Sequence, residues 1–193
     1  MASIYLVLDM ENDLVHDDGP NGKAGFGPIV RQRGIIAKTK AAIAGARKAG
    51  LLIGYVRVGF SPDYRECPPH SAIFSRAREH GLFKLGSWGT EVHPELKPET
   101  GDFDIVKHRV SPFYGTSLEP ILRAHAVERI YLSGVSTNAV VQGAVRDGHD
   151  RDYQCIILED CCAAITEAEH TAAIQGLSRF GTTTTSTEVV FKN

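Results

Sequence analysis

Leu132-Ser-Gly-Val-Ser-Thr-Asn-Ala-Val-Val141 begins as a buried strand, turns through small residues and continues as a helix. A turn of this kind places a reactive group, or the backbone N–H groups that serve one, at the mouth of an α/β sheet. Ser136, Thr137 or Asn138 can each cap the helix with a side-chain oxygen. Free N–H groups at the same helix start can bind a carboxylate or an oxyanion, and the two roles are compatible. The spacing GxGxxG does not occur, so the turn gives no support to a dinucleotide site.

The same rhythm extends outward in both directions. Five apolar runs have strand length and β-branched content, at residues 4–8, 51–58, 103–106, 130–133 and 153–158, with a weaker sixth at 182–186. Helical periodicity covers 30–49 with Gly50 as its stop, 117–125 with Leu118, Ile121 and Leu122 on one face, 138–146, and 166–180 before Gly181. Alternating β and α segments with near-continuous apolar strands predict an α/β fold, a three-layer doubly wound sandwich around a mostly parallel six-stranded sheet. Residues 1–193 form one domain in this reading, with right-handed crossovers bringing the C-terminal strand ends to one edge. Two irregular stretches interrupt the pattern, 16–28 and 59–100. The second carries Pro62, Pro68, Pro69, Pro94 and Pro98 and is long enough to predict a lid or an oligomer contact.

The chain has 193 residues, 42% of them hydrophobic, enough for one substantial core. A net charge of −2 without a basic tract argues against nucleic-acid or anionic-membrane partners. The apolar N-terminus lacks a basic region and reaches Asp9 almost at once, so it reads as a first core strand and not as a signal peptide or membrane span. Cysteines stand at 67, 155, 161 and 162 with no CxxC pair, which points to free thiols in a reducing cytoplasm.

Two charged residues end apolar runs. Asp9 closes Ile4-Tyr-Leu-Val-Leu8 and should emerge at the C-terminal edge of the sheet, where burial and neighbours can tune a carboxylate for acid/base work. The alternative is an Asp that caps or ties a loop, a role also open to Asn12 and Asp13 through bonds to nearby backbone. Lys107, expected at the end of another central strand, can pair with Asp9 across the crevice. It can equally snorkel to solvent or form a structural salt bridge. His108 and Arg109 add donors. In Ser111-Pro-Phe-Tyr114, Phe113 and Tyr114 can wall a small planar ligand or serve as ordinary core.

Asp9-Met-Glu-Asn-Asp-Leu14, Lys107-His-Arg-Val-Ser-Pro-Phe-Tyr-Gly-Thr116, Gly134-Val-Ser-Thr-Asn-Ala-Val-Val141 and Glu159-Asp-Cys-Cys-Ala-Ala164 occur in this order. Together they resemble the motifs of the isochorismatase-like (cysteine) hydrolases over nearly the whole chain. The resemblance implies a Rossmann-like hydrolase fold, usually in homo-oligomers. It also implies an Asp–Lys–Cys triad and an oxyanion hole near Val135 and Ser136, often formed through a non-proline cis peptide. Asp9 and Lys107 carry over as catalytic residues. Val135, Ser136, Thr137, Ala139 and Val140 fall at the oxyanion and substrate-binding turn, and Val140 stands where most members carry the nucleophilic cysteine. Members that hydrolyse isochorismate also lack that cysteine: an acid protonates a vinyl ether and water completes the cleavage. The nicotinamidase branch holds a metal through Asp and His residues. Asp63, His70, His80 and His93 lack a matching spacing, so no metal and no cofactor are expected.

The sequence therefore predicts a hydrolase of a small anionic molecule, with Asp9 as general acid/base, Lys107 as its electrostatic partner and water as nucleophile. Ether cleavage accommodates the missing cysteine best, and Arg57, Arg65, Arg76 and Arg78 are available to grip an anion. One alternative is an amide hydrolase with Thr137 or Ser136 as nucleophile, for which no activating base is visible nearby, or with Cys67 swinging in from a stiff Pro-rich segment. The other is a catalytically silent small-molecule binder that kept the buried pair for structure.

Overall fold

The computed structural model describes residues 2–23 and 25–193. Its first strand explains the layering. In β1 (Ala2–Leu8) the side chains of Ile4, Leu6 and Leu8 join one apolar cluster while Tyr5 and Val7 join the other. Alternate residues of a strand point to opposite faces, so a strand apolar on both must be covered on both. β2 (Leu52–Val58), β3 (Phe103–Lys107), β4 (Val127–Val135), β5 (Gln154–Ala163) and β6 (Thr182–Thr184) complete a six-stranded, all-parallel sheet in the order β3-β2-β1-β4-β5-β6. The direction of winding reverses between β1 and β4, and ligands of open α/β sheets bind in the crevice at such a point.

Short α1 (Asn12–Val15) follows β1, and α2 (Gly27–Arg33) and α3 (Ile35–Lys48) pack on one face of the sheet. The sequence reads as one helix over 30–49. It is two, because Gly34 at φ 64° takes the left-handed conformation that ends α2 and turns the chain into α3. The short α4 (Ala77–His80) lies in the long irregular segment, and α5 (Leu118–Ala124), α6 (Gln142–His149) and α7 (Glu167–Leu177) cover the opposite face of the sheet. Thr166 caps α7 in a reciprocal capping box with Glu169. No helix among the described residues is long and apolar enough to cross a membrane.

β3 is an edge strand, which corrects the central placement expected from its sequence. Two successive crossovers carry the chain outward from β1 to β2 to β3. Apolar letters at three of the four positions 103–106 concealed this, yet Asp104 is exposed and Phe103 and Val106 are only half buried.

Gly134, the penultimate residue of β4, lies opposite Leu8 with φ 137°. A Cβ there would meet the Leu8 carbonyl oxygen at 2.0 Å. Backbone is a poor neighbour to displace, so Gly134→Ala is expected to destabilise the fold by at least about 2 kcal/mol. Urea unfolding measures this, and an unchanged midpoint would contradict the close approach of β1 and β4.

Candidate active site

Asp9 is the first residue beyond β1 and takes a left-handed backbone, φ 53°. Its N–H donates to the Val56 carbonyl at 2.8 Å, continuing the ladder one step past the strand. Lys107 ends β3 opposite Val58 of β2, and its Nζ lies 2.8 Å from Asp9 Oδ2. The long side chain of the lysine therefore spans the intervening strand, which is how an edge strand supplies a group to the centre. Lys107 is 1% exposed and Asp9 5%. Among the described residues, Asp9 Oδ1 has no hydrogen-bond partner. Burial pushes the Asp9 carboxyl above its usual value, and the adjacent Lys107 works against that rise.

A cavity of about 110 Å³ opens onto this pair. Val135, Ser136, Ala139 and Val140 of the turn form one side of it. Phe26, Phe74 and Phe83 form aromatic walls, and Val58, Val110, Leu14 and Ile73 add aliphatic surface. The peptide between Val135 and Ser136 is cis. The Ser136 carbonyl accepts from the N–H groups of Ala139 and Val141, both at 3.2 Å, and residues Thr137–Val141 make one wide π-helical turn before α6. The helix read at 138–146 thus begins with a π turn, a device frequent at functional sites.

Thr137 is fully buried and does not border the cavity. Its Oγ1 lies 2.8 Å from His170 Nδ1 on α7, so the base that sequence could not supply does stand beside it. On its other side His170 Nε2 faces Glu159 at 3.2 Å and Arg33 at 3.1 Å. Burial, reinforced by Arg33, holds His170 below its usual value. A neutral imidazole here ties the turn to β5, α2 and α7 rather than serving a nucleophile in the cavity.

Phe113 and Tyr114 stand apart from the cavity, contrary to their expected role as its walls. Phe113 packs against Tyr153 in the core on the opposite side, and Tyr114 is 68% exposed. The walls come instead from the two irregular stretches, whose phenylalanines the strand-and-helix pattern gave no reason to single out. Asn12 and Asp13 hold those stretches in place, across long range rather than through their own turn. Asn12 Nδ2 donates to the Trp88 carbonyl at 2.9 Å, and Asp13 Oδ2 accepts the Phe83 N–H at 2.7 Å.

None of the arginines assigned to an anion reaches the cavity. Arg57 pairs with Asp104, Arg65 with Asp63 and Arg76 with Glu79, while Arg78 donates to the carbonyls of Asp63 and Tyr64. Among the described residues Lys107, already paired, is the only cation at the cavity wall. His108 and Arg109 bond to the carbonyls of Gly59 and Glu66 and so fasten the long segment. Asp63 is taken up by Arg65 and Ser61, and His93 caps a 3-10 turn at Pro94–Leu96. Cys67 is bound to the Phe74 carbonyl, and burial raises its thiol; burial likewise pushes Cys155 and Cys161 up to about 12.

Residues 3–188 match the family model described as the isochorismatase domain. The ureidoacrylate amidohydrolase RutB of Enterobacter sp. strain 638 is 32% identical over 170 residues, covering 82% of this chain and 74% of that protein. Among solved structures, N-carbamoylsarcosine amidase from Thermoplasma acidophilum superimposes with a TM-score of 0.76 at 26% identity, over 99% of this chain and 100% of that one. An isochorismatase family protein from Desulfovibrio vulgaris shares the fold at TM-score 0.84 and 24% identity, over 96% and 95% of the two chains.

Removing Lys107 leaves a buried carboxylate alone. Lys107→Met is expected to cost about 3–5 kcal/mol at pH 8. The loss should shrink toward pH 5: the isolated Asp9 then keeps in the folded state a proton that the unfolded chain releases, so stability falls as pH rises through that window. Urea melts of parent and variant across this range measure the difference. A deficit independent of pH would contradict the pairing.

Proposed function

Because the chain belongs to the isochorismatase family, we propose that it is a small-molecule hydrolase in which water, activated by the Asp9–Lys107 pair, takes the place of the cysteine nucleophile. The observation that supports this reading is a buried carboxylate oxygen of Asp9, without a hydrogen-bond partner among the described residues, beside a cavity that Val140 also lines. Asp9 takes a proton from water as the oxygen attacks a carbonyl carbon. The developing oxyanion is met by N–H dipoles of the turn at 135–140 and by the field of Lys107. Asp9 then returns the proton to the leaving nitrogen, so one water is consumed and an acid and an amine are formed.

Two features favour a C–N bond. The relatives are named as an amidohydrolase and an amidase. Asp9 Oδ1 is also suited to accept an amide N–H. Vinyl-ether cleavage remains the second reading, and Val140 favours it, since protonation by Asp9 followed by water needs no covalent intermediate. Release of ammonia or of a keto acid separates the two.

The walls argue for a neutral substrate with an apolar body rather than an anion. A second negative charge beside Asp9 would be buried among hydrocarbon without a partner. A cavity of about 110 Å³ encloses roughly four to five heavy atoms, given that one of ~150 Å³ takes benzene, and its open mouth leaves room for the polar end of a slightly larger molecule. Isobutyramide is therefore expected to bind at least about tenfold tighter than isobutyrate, as measured by titration calorimetry. Preference for the acid would overturn the neutral-substrate reading. Across a panel of small amides, Asp9→Asn is expected to lower kcat/KM by about 10²–10⁴. Turnover unaffected by that change would sink the assignment of Asp9.

Val140→Cys places a thiol on the cavity wall. Iodoacetamide is expected to add one more alkyl group to the folded variant than to the parent, read by intact mass. Equal labelling of the two proteins would contradict the position given to Val140.

A further inference from the structure

Glu11 is the largest unexplained cost near the site. Two residues beyond Asp9, it is 0% exposed, and neither carboxylate oxygen has a hydrogen-bond partner among the described residues. Its backbone is fixed, with the carbonyl accepting from Leu14 and Val15 at 3.0 Å and a bridge to Val92. The charged groups that act on it are Asp9 beyond β1, Lys107 of β3, Arg57 of β2 and Asp13 of α1. Arg57 is already committed to Asp104, at 2.6 and 2.8 Å, and to the Thr90 carbonyl. Lys107 is committed to Asp9. An ionised Glu11 would therefore be a buried anion with no cation of its own, next to another anion.

We propose that Glu11 is a positioning residue, a carboxylic acid that keeps its proton at neutral pH and so leaves Lys107 wholly to Asp9. The proposal rests on Asp9–Lys107 being the working pair. Burial and the neighbouring Asp9 both hold the Glu11 carboxyl well above its ordinary range, with Lys107 and Arg57 opposing. Asp9 and Glu11 face each other closely enough that the charge on one alters the proton affinity of the other. In the working state Asp9 is ionised, Glu11 neutral and Lys107 charged, so the cluster has no net charge. When Glu11 loses its proton, a second carboxylate competes for Lys107 and raises the proton affinity of Asp9, which sets the alkaline limit of the site.

Infrared difference spectra of parent against Glu11→Gln at pH 7 test this without any substrate. A protonated-carboxyl stretch is expected in the parent, absent in Glu11→Gln and retained in Asp9→Asn. Loss of that band in Asp9→Asn with retention in Glu11→Gln would place the proton on Asp9 and overturn the proposal, as would its absence from the parent. Glu11→Gln and Glu11→Met should both melt higher than the parent, by a margin that widens as pH rises above the ordinary glutamate range. The folded parent keeps a proton there that its unfolded chain has released. A margin that stays constant or narrows would also overturn it. With an amide turned over, Glu11→Gln should keep its neutral-pH rate within about threefold, retain the acid limb and lose the alkaline limb, whereas Glu11→Asp keeps both. An unmoved alkaline limb would count against Glu11 alone, while turnover indifferent to Asp9→Asn would count against the pair itself.

Discussion

The buried contact between Lys107 Nζ and Asp9 Oδ2, at 2.8 Å, constrains almost everything around it. Taking two charges out of water costs several kcal/mol for each, and their attraction offsets this only when the geometry is good. That geometry is assembled from separate parts of the chain. Asp9 must leave β1 with a left-handed backbone, and β2 must present the uncharged Val58 where the lysine stem passes. β3 can then sit at the sheet edge and still serve the centre. A shorter cation at 107 could not bridge two strand spacings.

The acid motif after β1 does three jobs with neighbouring letters. Asp9 faces the cavity, Glu11 lies sealed behind it, and Asn12 with Asp13 fastens the long segment 59–100. The bond from the Phe83 N–H to Asp13 couples the wall of the cavity to the segment that carries Asp9. Burial raises the Asp13 carboxyl, and the Phe83 N–H opposes the rise, so the clasp is strongest when Asp13 is ionised. A stretch of backbone with little regular structure is thus held by a few polar bonds to one short helix.

The sheet was legible because its central strands are apolar on both faces, a pattern few other structures require. Asp9, Lys107 and the turn at 134–141 were legible for a related reason: each is a polar or small residue at the end of an apolar run, where the parallel sheet opens. The rest was hidden by distance. In the letters 103–106 only Asp104 hints at an edge strand, and one charge within an apolar run is a weak mark. Phe113 and Tyr114 looked like walls through adjacency to Lys107, yet the chain turns there and buries Phe113 on the other side of the sheet. Phe26, Phe74 and Phe83 reach the cavity from segments without periodicity, so no spacing could single them out. His170 is 33 residues from Thr137, and only the docking of α7 brings them together.

Val140 puts hydrocarbon on the cavity wall close to the pair. A valine offers no donor, and among the described residues none reaches Asp9 Oδ1; left dry, such an oxygen would carry a penalty of about 1–3 kcal/mol. A purely structural ion pair gives no reason to hold one oxygen there, since a carboxylate retained for stability gains by satisfying both. A water or a ligand N–H that enters the cavity removes the penalty, and the same bond orients that group toward the turn. An oxygen so placed favours whatever donor the cavity admits.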